Sequence, residues 1–172
     1  MANGGLGWNL RDFVYDGERP QTWDNIARWT EGILSWENEI PWSKLKKDNE
    51  WRRKKILKKI AVVNLKKIPS GHISDGKTIY DAVLDNGEII KKHLALYNAD
   101  FIICCGTESA FVNDYYKGQG LDWKMTDRGV WFFRDGKTVL ISFAHPEARV
   151  RDFYLYYALL DAVREIMAGA SI

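Results

Sequence analysis

A histidine followed by a proline near the end of the chain is the residue pair best suited to chemistry. His145 and Pro146 follow residues 139–143, an apolar and β-branched-rich run that predicts a buried strand. Because proline cannot donate to a sheet and restricts the residue before it, His145 should lie extended at the strand's carboxyl end. Open α/β sheets bind ligands at that edge. A capping or buried structural histidine would fit the same position, so both interpretations stay open.

A second candidate is Asn64, which follows the short apolar run 60–63. This run predicts another buried strand, and Pro69, Ser70 and Gly71 then mark a loop. A side-chain amide at the end of a strand offers two hydrogen-bond donors and one acceptor. Asn64 could brace the loop backbone or bind the edge of a nucleic-acid base.

The segment between residues 44 and 59 is strongly basic and contains only two acids, Asp48 and Glu50. Such a run usually forms a solvated helix face. It could instead contact phosphates, since clustered lysines and arginines supply the sequence-independent part of nucleic-acid affinity. Its basic residues are Lys44, Lys46, Lys47, Arg52, Arg53, Lys54, Lys55, Lys58 and Lys59.

A strand and a helix in the middle of the chain predict the sheet that positions these residues. Residues 99–107 are apolar without alternation and end near Gly106, which is typical of a central parallel strand buried on both faces. A helix from about 108 to 116 should follow. Strands that alternate with helices predict βαβ units and a parallel sheet.

Two earlier helices are expected from the spacing of apolar residues. The first should begin with Thr22 as its N-cap and extend to about Trp36. The second covers residues 78–98 and should be interrupted near Asn86-Gly87.

The last third of the chain predicts a hairpin and a final helix. Asp135-Gly136 fits a type I′ turn between strands at 131–133 and 139–143. A helix from about 150 to 167 follows the His-Pro pair. Its apolar stripe consists of Leu155, Leu159, Ala162, Val163 and Ile166.

The composition limits the classes of protein that the chain can belong to. With 172 residues, 46% hydrophobic and 28% charged, the sequence predicts a single globular domain over residues 1–172. No apolar run is long enough to span a membrane and no signal region is evident, so we expect a cytoplasmic location. The net charge of +2 does not by itself indicate nucleic acid. Adjacent Cys104 and Cys105 predict neither a disulfide framework nor a metal site, and they exclude a four-thiolate iron–sulfur cluster within one chain.

Three of these segments, in this order, resemble motifs of the uracil-DNA glycosylase superfamily, especially its compact prokaryotic branches. Each contains one of three residues introduced above, namely Asn64, Gly106 and His145. The matching stretches are Val62-Val63-Asn64-Leu65-Lys66-Lys67-Ile68-Pro69-Ser70-Gly71, Asp100-Phe101-Ile102-Ile103-Cys104-Cys105-Gly106-Thr107, and His145-Pro146 followed by Arg149. The resemblance covers roughly residues 56–167.

The resemblance implies a role for each matching residue. His145 would donate a hydrogen bond to the departing base and stabilise the negative charge that develops on it. Asn64 would bind the pairing edge of the flipped base. The other residues implied in base recognition are Lys67, Ser70 and His72, and those implied in DNA contact are Lys66, Arg149, Arg52 and Arg53.

The family's attacking water is positioned by a residue that follows an opening strand. No apolar strand precedes Trp8 here, so the resemblance leaves this role to Asn3 or to an acid such as Asp12, Asp16 or Glu18. Ile68 stands where some branches carry a cluster-binding cysteine. A cluster-free member is therefore implied, with neither a metal nor another cofactor.

The fold implied is α/β, a three-layer α/β/α arrangement with a short, mainly parallel central sheet and one hairpin edge strand. The activity implied is hydrolysis of the N-glycosidic bond of a flipped base in DNA, either a uracil-type base or a modified cytosine of phage DNA. The expected partner is DNA with a damaged or modified base, bound by a monomer that does not contact membranes. One alternative is a catalytically silent nucleic-acid-binding protein of the same fold. Another is a Rossmann-like domain that binds a nucleotide or a protein, although no Gly-rich phosphate loop is present.

Overall fold

A four-stranded mixed sheet lies at the centre of the computed structural model, which describes Val14 and residues 19–66, 76–116 and 119–169. The sheet order is β1-β4-β3-β2. β1 pairs with β4 in parallel, and β4–β3 and β3–β2 are antiparallel. The strands are β1 (Phe101–Cys105), β2 (Lys124–Met125), β3 (Trp131–Asp135) and β4 (Thr138–Phe143).

The mixed α/β class and the presence of strands near 99–107 and 139–143 are confirmed. The central position expected for the first of them is wrong, because β1 lies at one end of the described sheet and only Cys104 of the strand is buried. The mainly parallel sheet is not confirmed, because only one of the three strand pairs among the described residues is parallel. The hairpin is present with Asp135 opposite Thr138, but both of its strands have neighbours on each side. The strand at the hairpin end of the sheet is instead β2.

Six α-helices surround the sheet in the described part of the chain. None of them is long and apolar enough to cross a lipid bilayer. A single 3-10 turn, Leu57–Lys59, follows the third helix. The helices are α1 (Pro20–Leu34), α2 (Trp42–Leu45), α3 (Asn49–Ile56), α4 (Gly76–Ala95), α5 (Glu108–Tyr115) and α6 (Asp152–Ala168).

Two hydrophobic clusters lie against β4, and alternate residues of the strand contribute to each. Val139 and Ile141 pack with α1 and α6, whereas Leu140 packs with α4 and α5. Successive side chains of a strand point to opposite faces, so the two clusters cover the two faces of the sheet. The predicted apolar stripe of the last helix is confirmed, because all five of its members are buried in the first cluster.

The contact between α1 and α6 depends on Gly32. A Cβ atom at this position would lie 2.7 Å from Cε2 of Tyr156, which is only 1% exposed. Real Cβ atoms do not approach a ring so closely, so glycine is what allows the two helices to pack here. This packing sets the amino-terminal half of α1 beside the loop that precedes α6.

The prediction of a strand at residues 60–63 is wrong. These residues form neither a strand nor a helix, and Ala61 and Val62 are exposed. The reason is that a run of four apolar residues is too short for its periodicity to identify a buried strand.

The prediction that this helix is interrupted near Asn86-Gly87 is also wrong, because α4 is continuous from Gly76 to Ala95. Asn86 is accommodated by donating from Nδ2 to the Ala82 carbonyl oxygen at 2.7 Å, one turn earlier. Gly87 is buried inside the helix. Packing of the helix therefore outweighs the low helix propensity of these two residues, which is about 1 kcal/mol for a glycine.

Two local expectations need correction. Thr22 is not an N-cap, since α1 begins at Pro20 and Thr22 lies in its first turn. The hairpin turn is not type I′, because that type requires a positive φ at both central residues. Gly136 has φ +57°, whereas Lys137 is not among the residues with positive φ. This combination is the pattern of a type II′ turn.

Candidate functional site

The His145 side chain is exposed and held by its own loop at the carboxyl end of β4. The backbone N–H of Glu147 donates to His145 Nδ1 at 3.1 Å, and the N–H of Ala148 donates to the His145 carbonyl oxygen at 2.9 Å. A ring nitrogen that accepts a hydrogen bond carries no proton. The neutral imidazole is therefore held in the tautomer with its proton on Nε2, where it can be donated to a ligand.

The end of β1 lies directly against this histidine. The N–H of Gly106 donates to the Phe143 carbonyl oxygen at 2.7 Å, which ties the ends of β1 and β4 together. A Cβ atom at Gly106 would lie 3.9 Å from both the backbone nitrogen and the Cβ of His145. Gly106 also has φ +69°, a conformation that favours glycine. Gly106 and His145, selected separately in the sequence, are thus adjacent.

Helix α1 holds the turn from its other side, which sequence reasoning missed. Asn25 is fully buried and donates from Nδ2 to the Pro146 carbonyl oxygen at 2.9 Å and to Asp152 Oδ1 at 3.1 Å. The Thr22 hydroxyl donates to the Glu147 carboxylate. A signal for this site was present in the sequence, since Thr22, Asn25 and Arg28 recur every three residues and therefore place polar groups on one face of the helix.

That arginine, Arg28, is 5% exposed and connects α1 to three other segments. Its NH1 donates to Asn25 Oδ1 at 2.9 Å and to Asp152 Oδ2 at 3.3 Å. Its Nε donates to the Leu45 carbonyl oxygen, and its NH2 donates to Asn49 Oδ1. Burial lowers the pKa of Arg28 from its ordinary value, and the nearby carboxylates oppose this effect.

The basic segment consists of two kinds of residue. Arg52 and Arg53 are buried, and they pair with Glu31 and Asp24 of α1, respectively. Arg52 also donates to the Lys47 carbonyl oxygen at 2.6 Å. The two guanidinium groups thus fix α3 to α1, and their placement does not support the expected DNA contacts. The lysines of the segment are all exposed, namely Lys44, Lys46, Lys47, Lys54, Lys55, Lys58 and Lys59.

Asn64 is exposed, and its Oδ1 accepts a hydrogen bond from the backbone N–H of Lys66 at 3.2 Å. The amide therefore braces its own loop, as one of the two interpretations allowed. Within the described residues, no hydrogen bond joins Asn64 to His145.

Two further expected positions concern DNA contact. Arg149 is exposed on the loop after Pro146, and Lys66 is half-buried. Arg149 also lines an open depression beside the turn, together with Trp42, Glu147 and Phe153. The remaining expected site residues lie outside the described part of the chain, namely Asn3, Asp12, Asp16, Glu18, Lys67, Ser70 and His72.

The two cysteines are unsuited to nucleophilic chemistry. Burial raises the pKa of Cys104 to about 12 and that of Cys105 to about 11, so both thiols stay protonated at neutral pH. Residues 19–66, 76–116 and 119–169 contain no group of three or more His, Cys, Asp or Glu side chains that could hold a metal ion.

The arrangement as a whole offers a fixed donor at the exposed end of a central strand. A neutral imidazole with its proton on Nε2 can donate to an anionic leaving group without a change of charge on the protein. The lysines of residues 44–59 and Arg149 supply positive charge on exposed surfaces.

Comparisons of the chain with protein-family models, with curated proteins and with solved structures gave no match.

Proposed function

We propose that the chain is a DNA glycosylase that hydrolyses the N-glycosidic bond of a flipped base, with His145 as the donor to the leaving base. The observation that carries the proposal is the hydrogen bond from the Glu147 N–H to His145 Nδ1, because it directs the other ring nitrogen outward as a donor. The proposal includes a three-layer α/β/α fold. The two clusters on opposite faces of β4 support that arrangement.

The chemistry of base release explains why such a donor is useful. Cleavage of the bond leaves positive charge on the sugar and negative charge on the base. A fixed donor aimed at developing negative charge contributes on the order of 3 kcal/mol in comparable sites. A base inside a duplex must first be extruded, which costs a few kcal/mol, and the exposure of His145 is compatible with access by an extruded nucleotide.

The other roles belong to the same proposal. The target is a uracil-type base or a modified cytosine, which would be bound by Asn64, Lys67, Ser70 and His72. Asn3 or Asp12 would position the attacking water. The protein would act as a monomer without a metal or other cofactor. DNA phosphates would be contacted by Lys66, Arg149 and the exposed lysines of residues 44–59 rather than by the buried Arg52 and Arg53.

A panel of modified DNAs tests the activity directly. Single- and double-stranded oligonucleotides would carry uracil, hypoxanthine, hydroxymethyluracil or glucosylated hydroxymethylcytosine, and whole phage genomes would extend the panel. The expected result is the formation of abasic sites in at least one substrate, measured as strand cleavage after alkali treatment. A complete absence of abasic sites across the panel, phage DNA included, would overturn the enzymatic proposal.

A catalytically silent DNA-binding protein of the same fold is a second candidate. It is favoured by the hydrogen bond between Asn64 and the Lys66 N–H, because an amide engaged with its own loop has one acceptor fewer for a base. This candidate predicts salt-sensitive DNA binding that survives the substitution His145→Ala.

Both candidates predict that the exposed lysines bind DNA phosphates. The double substitution Lys58→Glu and Lys59→Glu should weaken binding to all sequences alike, because the phosphates are the same in every sequence. The slope of log K against log salt concentration should become shallower by about 0.9 for each phosphate that the variant no longer neutralises. Fluorescence anisotropy over a salt series would measure the change.

The matched control for these lysines is the pair Lys91→Glu and Lys92→Glu on α4, which changes the net charge equally. This control should leave the salt slope unchanged. An equal loss of affinity in both double variants would mean that net charge alone governs binding, and no DNA surface could then be assigned to residues 44–59.

A further inference from the structure

We propose that Asn25, assisted by Thr22, is a positioning residue that fixes the imidazole tautomer of His145. The two side chains extend from α1 and hold the Pro146–Glu147 part of the turn. The catalytic consequence of this role rests on the proposed function. The structural consequence does not, because the state of the histidine can be measured without any substrate.

The orientation of the Asn25 amide is set by its neighbours. Arg28 NH1 donates to its oxygen at 2.9 Å, so the opposite end must be the NH₂ group. That group donates to the Pro146 carbonyl oxygen at 2.9 Å and to Asp152 Oδ1 at 3.1 Å. The side chain is completely buried, so water cannot replace these partners. Asn25 is therefore a fixed donor to the turn.

Planarity of the peptide bond carries this constraint to the histidine. The carbonyl group of Pro146 and the N–H group of Glu147 belong to one peptide plane and point in opposite directions. A donor that fixes the carbonyl oxygen also fixes the direction of the N–H. That N–H donates to His145 Nδ1 at 3.1 Å. Asn25 thus acts on Nδ1 through one rigid unit and keeps the proton of the neutral ring on Nε2.

Thr22 supplies a second contact to the turn, at the side chain of Glu147. Its hydroxyl donates to the Glu147 carboxylate, and Arg19 NH1 lies 3.8 Å from the other oxygen of that carboxylate. Since Asn25 lies three residues after Thr22 on one helix, both contacts come from the same face of α1. The turn is consequently held at the backbone of Pro146 and at the side chain of Glu147.

The test compares Asn25→Ala with wild type in the full-length protein by ¹⁵N NMR of the histidine imidazoles and by hydrogen exchange of the Glu147 amide. The wild type should show His145 Nδ1 without a proton and a protected Glu147 N–H. In Asn25→Ala, exchange of that amide should rise by roughly tenfold, the change expected for the loss of one buried hydrogen bond. The His145 ¹⁵N shifts should move toward a mixture of tautomers.

The matched control is Asn86→Ala, which removes an asparagine that also donates from Nδ2 to a backbone carbonyl but lies on α4. It should leave both His145 signals unchanged. If Asn25→Ala fails to fold, the isosteric change Thr22→Val decides the question, with Thr30→Val on the same helix as its control. Thr30 donates only to its own helix, at the Ile26 carbonyl oxygen.

Unchanged His145 shifts and unchanged Glu147 exchange in folded Asn25→Ala, or in Thr22→Val where the first variant does not fold, would overturn the inference. This outcome differs from failure of the proposed function, which is the absence of base release by the wild type. Where the wild type releases a base, Asn25→Ala should lower kcat with KM unchanged. A rise in KM alone would indicate a role in binding rather than positioning.

Discussion

Replacing His145 with alanine is expected to reduce base release by about 10²- to 10³-fold, the effect of removing one fixed donor from a site that stabilises negative charge. The loss should appear in kcat, because the hydrogen bond strengthens as charge develops on the leaving base. Single-turnover release of the base that the wild type prefers, with protein in excess over DNA, measures this step without interference from product dissociation.

The same substitution should leave the fold intact. His145 is exposed, and changes at such positions usually alter stability by no more than about 0.5 kcal/mol. His93→Ala on α4 is the matched control, since it removes another imidazole outside the His-Pro turn and should leave release unchanged. Release by His145→Ala at the wild-type rate would show that the leaving base is stabilised elsewhere. Loss of release with DNA binding retained would separate the enzyme from a silent binder.

The parts of the fold that sequence predicted well are those with a long or continuous apolar signal. β1 and β4 are recognisable because each is a continuous apolar run, although only β4 is largely buried. The apolar residues of α6 recur at helical spacing over several turns, so an amphipathic helix is the one interpretation that fits them. Gly106 and His145 could be placed together because each ends one of these strands, and neighbouring parallel strands end at the same edge of the sheet.

The parts that sequence could not predict depend on contacts between distant residues. Arg52 and Arg53 look like surface cations within a basic run, but Glu31 and Asp24, on a different helix, pair with them where they are buried. Likewise, the sequence shows Asn25 only as a helix residue of low propensity. Its role as a donor follows from the positions of Pro146 and Asp152, which are far away in the sequence. A polar group can be buried when it has a hydrogen-bonding or ionic partner. The sequence shows that the group is polar but not whether such a partner lies beside it in the fold.

Replacing Arg28 with alanine is expected to have the largest effect on stability, a loss of about 3–5 kcal/mol in the free energy of unfolding. The substitution leaves the Asn25 oxygen without its buried donor, and it removes a cation from beside Asp24 and Asp152. The guanidinium also lies 5.1 Å from the Trp42 ring, so its packing against the indole disappears as well. Urea unfolding at neutral pH measures the change.

Lys54→Ala is the control, because the pair between Lys54 and Glu50 is exposed and its charges are screened by water. Little or no loss of stability is expected there. A loss in Arg28→Ala as small as in this control would mean that water replaces the guanidinium, and α1 would then not be held to Leu45 and Asp152 in the way described.

A double-mutant cycle between Arg28 and Asn25 connects this stability to the histidine. The two side chains share a hydrogen bond of 2.9 Å, so their effects on the free energy of unfolding should not add, whereas those of Arg28→Ala and Lys54→Ala should add within about 0.5 kcal/mol. Arg28→Ala should also raise exchange at the Glu147 amide, because Asn25 loses the partner that orients it. Additive effects with no change at Glu147 would show that α1 contributes to stability without positioning His145.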